Sequence, residues 1–149
     1  MKSLSLTLCC CISFVLAYAQ PNAHQRPTLF DQLPASIHCT GDQLQSILQA
    51  PTGSFVDIPL APSFAVKGIV ASNRVKYQQL QTVAVRLANY QNIVLSISVR
   101  RNEQNEVIYT GRIISPAYAD GFEIKRIKGN DYQLVKIETE QVLPTCADH

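Results

Sequence analysis

The chain has 149 residues, 46% of them hydrophobic and 16% charged, with a formal net charge of +2. That is the length of one domain, with enough apolar material for a single core. So balanced a charge leaves no broad positive field to gather nucleic acid or an anionic membrane, and Arg100-Arg101 and Lys125-Arg126-Lys128 read as a solvated strand end and turn.

The first residues read as an export signal. Lys2 precedes an apolar run from Leu4 to Leu16, and Ala17-Tyr18-Ala19 stands before Gln20, a small-residue cleavage pattern. The run is shorter than the roughly 20 residues a spanning helix needs. Residues 1–19 are therefore expected to be a signal peptide, and the protein to be secreted or periplasmic with no stable membrane insertion after cleavage. Of five cysteines, Cys9, Cys10 and Cys11 leave with that leader. Cys39 and Cys146 remain near the two ends of the domain, and in an oxidising compartment they are expected to form one disulfide.

Residues 20–37 read as an extended arm carrying three prolines between Gln20 and Pro34, whose Leu29, Phe30 and Leu33 can dock onto the body or onto a partner. The domain proper is expected over 38–149. Thr40-Gly41-Asp42-Gln43 has capping-box spacing, Asp42 suits the positive end of the helix dipole, and Leu44, Ile47 and Leu48 make one apolar stripe. This predicts a helix of about ten residues, ended by Pro51 and Gly53 and too short to persist without packing on a sheet.

Strands follow to the end of the chain. Phe55–Ile58 is short and stops at Pro59, which suits an edge or a bulge. Phe64–Val70 is next, with Ser72–Gln79 as a polar connection. In Leu80–Leu87, Val83, Val85 and Leu87 share one face. The clearest signal is Asn92–Ile114: Ile93, Leu95, Ile97 and Val99 alternate with Val94, Ser96, Ser98 and Arg100. A polar loop then leads to a second apolar run at Val107, which predicts an antiparallel hairpin. Asp120-Gly121 reads as a turn, Phe122–Ile127 as a strand, and Lys128–Asp131 as a second hairpin turn before Tyr132–Glu138. In that last strand the adjacent Leu134 and Val135 imply two covered faces or a bulge. The fold class is mainly β (α+β): a curled antiparallel meander sheet or small barrel with one short N-terminal helix.

Reactive groups are sparse. The three histidines, His24, His38 and His149, lie outside the strands, and no nucleophile elbow, zinc-protease motif or phosphate-binding loop occurs. His38, Cys39, Cys146 and His149 could be drawn as a Cys₂His₂ zinc site. The adjacency of His38 and Cys39 is poor for ligation, so neither metal nor cofactor is expected. Asp120, Glu123, Glu138 and Glu140 read as solvent-face charge rather than catalytic carboxylates. Tyr118 and Phe122 flank the Ser115–Gly121 loop, and with Asp120 they are the candidate binding residues.

The succession Val66-Lys67-Gly68, Val94–Val99, Tyr109-Thr110-Gly111-Arg112-Ile113, Phe122–Ile127 and Tyr132–Glu138 resembles the β-rich propeptide region of secreted reprolysin-type zinc metallopeptidases. Gly68, Gly111-Arg112-Ile113 and Tyr132-Gln133-Leu134 take the places of that pattern's internal glycine, G-x-I and tyrosine strand. The chain departs from it at Cys146, which reads as structural rather than as a thiolate switch. In overall build it also resembles small exported bacterial proteins. The propeptide resemblance implies a module seated on a partner protein and not an enzyme. The expected function is thus a secreted non-catalytic binding module, propeptide-like or inhibitor-like, acting on a protein partner. The alternative is a small-ligand carrier with a Tyr/Phe-lined pocket inside the curled sheet.

Overall fold

The structure is a computed structural model that describes residues 26–77, 80–91 and 93–142. The expected signal peptide, Cys146, His24 and His149 lie outside the described residues. Eight strands form one sheet: β1 (Ser36–Thr40), β2 (Phe55–Ala61), β3 (Phe64–Lys76), β4 (Leu80–Leu87), β5 (Val94–Arg101), β6 (Val107–Ile114), β7 (Asp120–Lys128) and β8 (Asp131–Glu138). Helix α1 (Gly41–Gln49) separates β1 from β2, and a 3₁₀ turn at Thr139–Gln141 follows β8.

All pairings are antiparallel, and the spatial order is β1-β8-β7-β6-β5-β4-β3-β2. From β2 to β8 the sheet is the expected meander. β1 joins its far side on β8, with Cys39 opposite Tyr132, and the two outermost strands, β1 and β2, come into contact. The result is a nearly closed barrel with one short helix. Alternate residues fill its interior: Val66 and Val70 from β3, Val83 and Val85 from β4, Leu95 and Ile97 from β5, Ile113 from β6, Phe122 from β7, Leu134 from β8. Gly68 and Gly111 let neighbouring strands approach closely, since a Cβ there would lie 2.1 Å from the Arg86 carbonyl oxygen and 2.4 Å from that of Ser96.

α1 closes one end of the barrel. Its capping box forms as the sequence predicts: Thr40 Oγ1 accepts from the Gln43 amide, and Gln43 Oε1 accepts from the Thr40 amide. Leu44, Ile47 and Leu48 are wholly buried against the barrel. The Gln43 side chain also crosses to β2, where Nε2 donates to the Pro59 carbonyl at 2.8 Å and more weakly to that of Leu60. One glutamine therefore caps the helix and clasps the β1–β2 seam, where no strand ladder forms.

Three readings change in the structure. β2 runs through Pro59 to Ala61, with its register shift between those residues, because an edge strand has no ladder bond to lose on its outer side. Ser72–Lys76 is not a connection but the second half of β3, continued past a register shift between Val70 and Ser72. It looks polar because its inward residue Asn73 donates to the Leu48 and Ala50 carbonyls at the end of α1. Gln81 on β4 donates to the same Leu48 oxygen. Finally, Asp120-Gly121 is the start of β7 rather than a turn. No bulge falls at Leu134-Val135: Leu134 faces the core and Val135 is half-covered on the outside.

Gln43 tests the clasp. Gln43→Glu keeps an acceptor for the cap, yet cannot donate to β2. Urea unfolding is expected to show a loss of about 1–2 kcal/mol, although glutamate suits a helix N-terminus. Unchanged stability would rule out the clasp.

Candidate functional site

The three candidate binding residues do lie together, at the end of the barrel opposite α1, but Asp120 and Phe122 bind this chain's own arm. Asp120 is buried, and its two carboxylate oxygens accept from the Leu29 amide at 2.6 Å and the Phe30 amide at 2.8 Å. Lys136 on β8 completes the clamp from the other side, its Nζ donating to the Phe30 and Leu33 carbonyls at 2.8 and 2.9 Å. Held this way, Phe30 enters the core at 1% exposure. Its ring lies 5.1 Å from Tyr90 and 5.2 Å from Phe122, in tilted and edge-on geometry. Phe64 meets the same two rings, so four aromatics stopper this end. Tyr118 donates its hydroxyl to Gln91, and its carbonyl accepts from Thr139 Oγ1.

The arm over 26–35 is therefore part of the body, and β1 begins at Ser36, two residues ahead of the expected domain boundary. Leu29 and Leu33 pack partly buried against the core beside it. The sequence marked Phe30 as able to dock. It carried no sign that Asp120 and Lys136, far along the chain, would hold its backbone.

Among the remaining candidates, Glu123 accepts from Arg112 Nε and Nη2 at 3.0 and 2.8 Å. That guanidinium, with Lys125 beside it, holds the carboxyl below the usual carboxylate range. Glu123 is a cross-strand ion-pair partner rather than a poised acid. His38, expected outside the strands, instead sits in β1 because the arm's end pairs with β8, and it faces Asp131 at 3.6 Å on the surface. Cys39 is buried on β1, where burial pushes its thiol up to about 11. It has no disulfide partner among the described residues, and Cys146 lies outside them. Among the described residues no three histidine, cysteine or acidic side chains gather as a metal site, and no helix is long and apolar enough to cross a membrane.

The outer face of the barrel carries a feature the strand pattern did not single out. Phe55, Ile69, Arg86 and Val94 are successive register partners across β2, β3, β4 and β5. Phe55, Ile69 and Val94 are 62%, 54% and 40% exposed. Along Phe55, Ile69 and Arg86 lies a groove of about 260 Å³, lined also by Ala71 and Ala88. The Arg86 guanidinium crosses this row with no carboxylate paired to it among the described residues. Below the row, Lys67 is already matched by Asp57 at 2.9 Å. A cross-strand row of exposed Phe and Ile could have been found only once the register was known.

No known protein family, curated protein or solved structure matches this chain.

The arm clamp makes a direct prediction. Asp120→Ala leaves the buried Phe30 amide and the half-buried Leu29 amide without acceptors, and is expected to cost about 2 kcal/mol and to speed hydrogen exchange at Leu29 and Phe30. Phe30→Ala, which empties the aromatic stopper, should cost about 3–5 kcal/mol. Unchanged exchange in Asp120→Ala would show that the arm is held by other means.

Proposed function

We propose that this chain is a secreted, non-catalytic binding module whose protein partner lies across the outer face of β2–β5. The exposed row of Phe55, Ile69 and Val94 carries this reading, because contiguous apolar surface on a folded protein marks an interaction site more often than scattered residues do. The unpaired Arg86 within the row sets the partner's chemistry. It favours a segment that offers large apolar side chains next to a carboxylate, since an arginine in such a setting pairs readily with one.

Two further observations support a module over the carrier. Side chains fill the barrel interior from every wall, and α1 and Phe30 cover its two ends, so a ligand would have to displace the core. The resemblance to metallopeptidase propeptides points the same way, toward a domain that works by sitting on another protein. The short edge strands are covered rather than bare: α1 packs on both β1 and β2, and Gln43 occupies the Pro59 and Leu60 carbonyls. The face, not the edge, is what remains for a partner.

Capture from the exported fraction of the producing cell should recover one discrete partner with the wild type. Ile69→Glu and Arg86→Glu should each lose it while keeping the wild-type melting temperature. Retained capture by both variants would remove the face from the argument, and self-association abolished by the same changes would assign it to a dimer instead.

Export also supports a Cys39–Cys146 bridge in the mature protein. A thiol count under denaturant should then find none, and two would reject the bridge. The reduced protein gives the contrast. Burial raises the Cys39 thiol from 9.0 to about 11, so its folded form resists ionisation. The stability tied to that thiol is complete below pH 9 and is lost as pH rises toward 11, by an amount on the order of 2–3 kcal/mol. A bridged Cys39 contributes no such loss.

A further inference from the structure

Beside α1, at the end of the barrel away from the arm, the wall leaves a recess of about 410 Å³. Val75, Leu80, Val99 and Val107 give it an apolar wall from four successive strands. Tyr109 and Gln45 form its floor, joined by a hydrogen bond of 2.8 Å from the Tyr109 hydroxyl to Gln45 Oε1. That bond turns the glutamine's oxygen away and leaves its amide nitrogen as a donor. Arg100 and Arg101, adjacent at the end of β5, also line the recess.

The two arginines differ in how they are held. Arg101 Nη1 donates to the Asn105 backbone and side-chain oxygens at 3.2 and 3.3 Å. Asn105 sits in the left-handed region, φ 61°, so the turn that places those acceptors is itself specific. The other nitrogens of Arg101, and all of Arg100, have no acceptor among the described residues. No acidic side chain among the described residues lines the recess. Glu106 is taken by Arg126 and Asn102, which hold its carboxyl below the usual range. Asp42 on α1 and Glu103 in the turn do not line the recess.

We propose that this recess binds a small amphipathic carboxylate, with its acid group on Arg101 and the Gln45 amide and its hydrocarbon along Val75, Leu80, Val99 and Val107. The volume falls within the range of small-ligand sites, and the lining is mixed, with four aliphatic side chains set beside Gln45, Gln81 and the two arginines. A guanidinium with free donors recognises a planar carboxylate in two-point fashion. The site lies at the mouth of the barrel and leaves the filled interior undisturbed, so it stands apart from the protein-binding face on β2–β5.

Octanoate is a suitable probe, titrated into the isotope-labelled protein while backbone amide resonances are followed. Saturable shifts are expected at Val75, Val99, Val107 and Tyr109, with octan-1-ol binding about tenfold more weakly for want of the charge-assisted bonds. Arg101→Gln should weaken octanoate about tenfold while leaving octan-1-ol binding, the melting temperature and partner capture as in the wild type. The proposal is overturned by shifts that never saturate, by shifts centred on Phe55, Ile69 and Val94, or by equal affinities for the acid and the alcohol. Because Arg101 is remote from the β2–β5 row, loss of this site and loss of the partner face are separate outcomes.

Discussion

A sheet curled far enough to bury one face still has two open ends, and water entering either would reach the apolar side chains within. Everything else in this molecule answers that constraint. One end takes α1, which is too short to hold its shape alone and is held by Leu44, Ile47 and Leu48 in the barrel. The other takes Phe30, carried in on an arm that has no regular structure of its own. Both plugs bring backbone polar groups to the edge of the core, where each must find a partner. Asn73 and Gln81 supply partners for the last carbonyls of α1, and Asp120 and Lys136 supply them for the arm.

The seam between β1 and β2 follows from the same arrangement. A helix inserted between two strands sets them side by side without a continuous ladder, and Gln43 bridges what the ladder leaves open. A second weak point lies between β6 and β7, which pair only over Gly111, Arg112 and Ile113. Beyond that the Tyr132 hydroxyl reaches the Tyr109 amide at 3.4 Å, and Arg126 ties β7 to Glu106 in the β5–β6 turn at 3.1 Å. Side chains thus close the wall where backbone pairing lapses, and these regions are where the barrel should open first.

With the interior filled and both ends closed, the two proposed binding surfaces lie on the outside. The charged groups that might suggest chemistry are mostly committed: Asp120 and Lys136 to the arm, Glu123 to Arg112, Glu106 to Arg126. Two described arginines with no carboxylate paired to them stand beside aliphatic surface, Arg86 in its apolar row and Arg100 at the recess, with Arg101 next to it only partly bonded. Both settings combine a guanidinium with aliphatic surface, the pairing on which the proposed partner and ligand readings rest.

Local periodicity by itself determined the class of this protein. Alternation in Ile93–Val99 and Val83–Leu87 specifies strands with one buried face, and Thr40 with Gln43 specifies where the helix begins, because both signals act between residues a few positions apart. The tertiary structure alone decided the rest. Asn73 and Gln81 look like loop residues until α1 is seen ending above them, and Asp120 looks like a surface turn until the arm arrives from ninety positions earlier. The row of Phe55, Ile69, Arg86 and Val94 exists only through the register of four strands. Contacts of that kind depend on which distant segments meet, and no residue's near neighbours in the chain encode it.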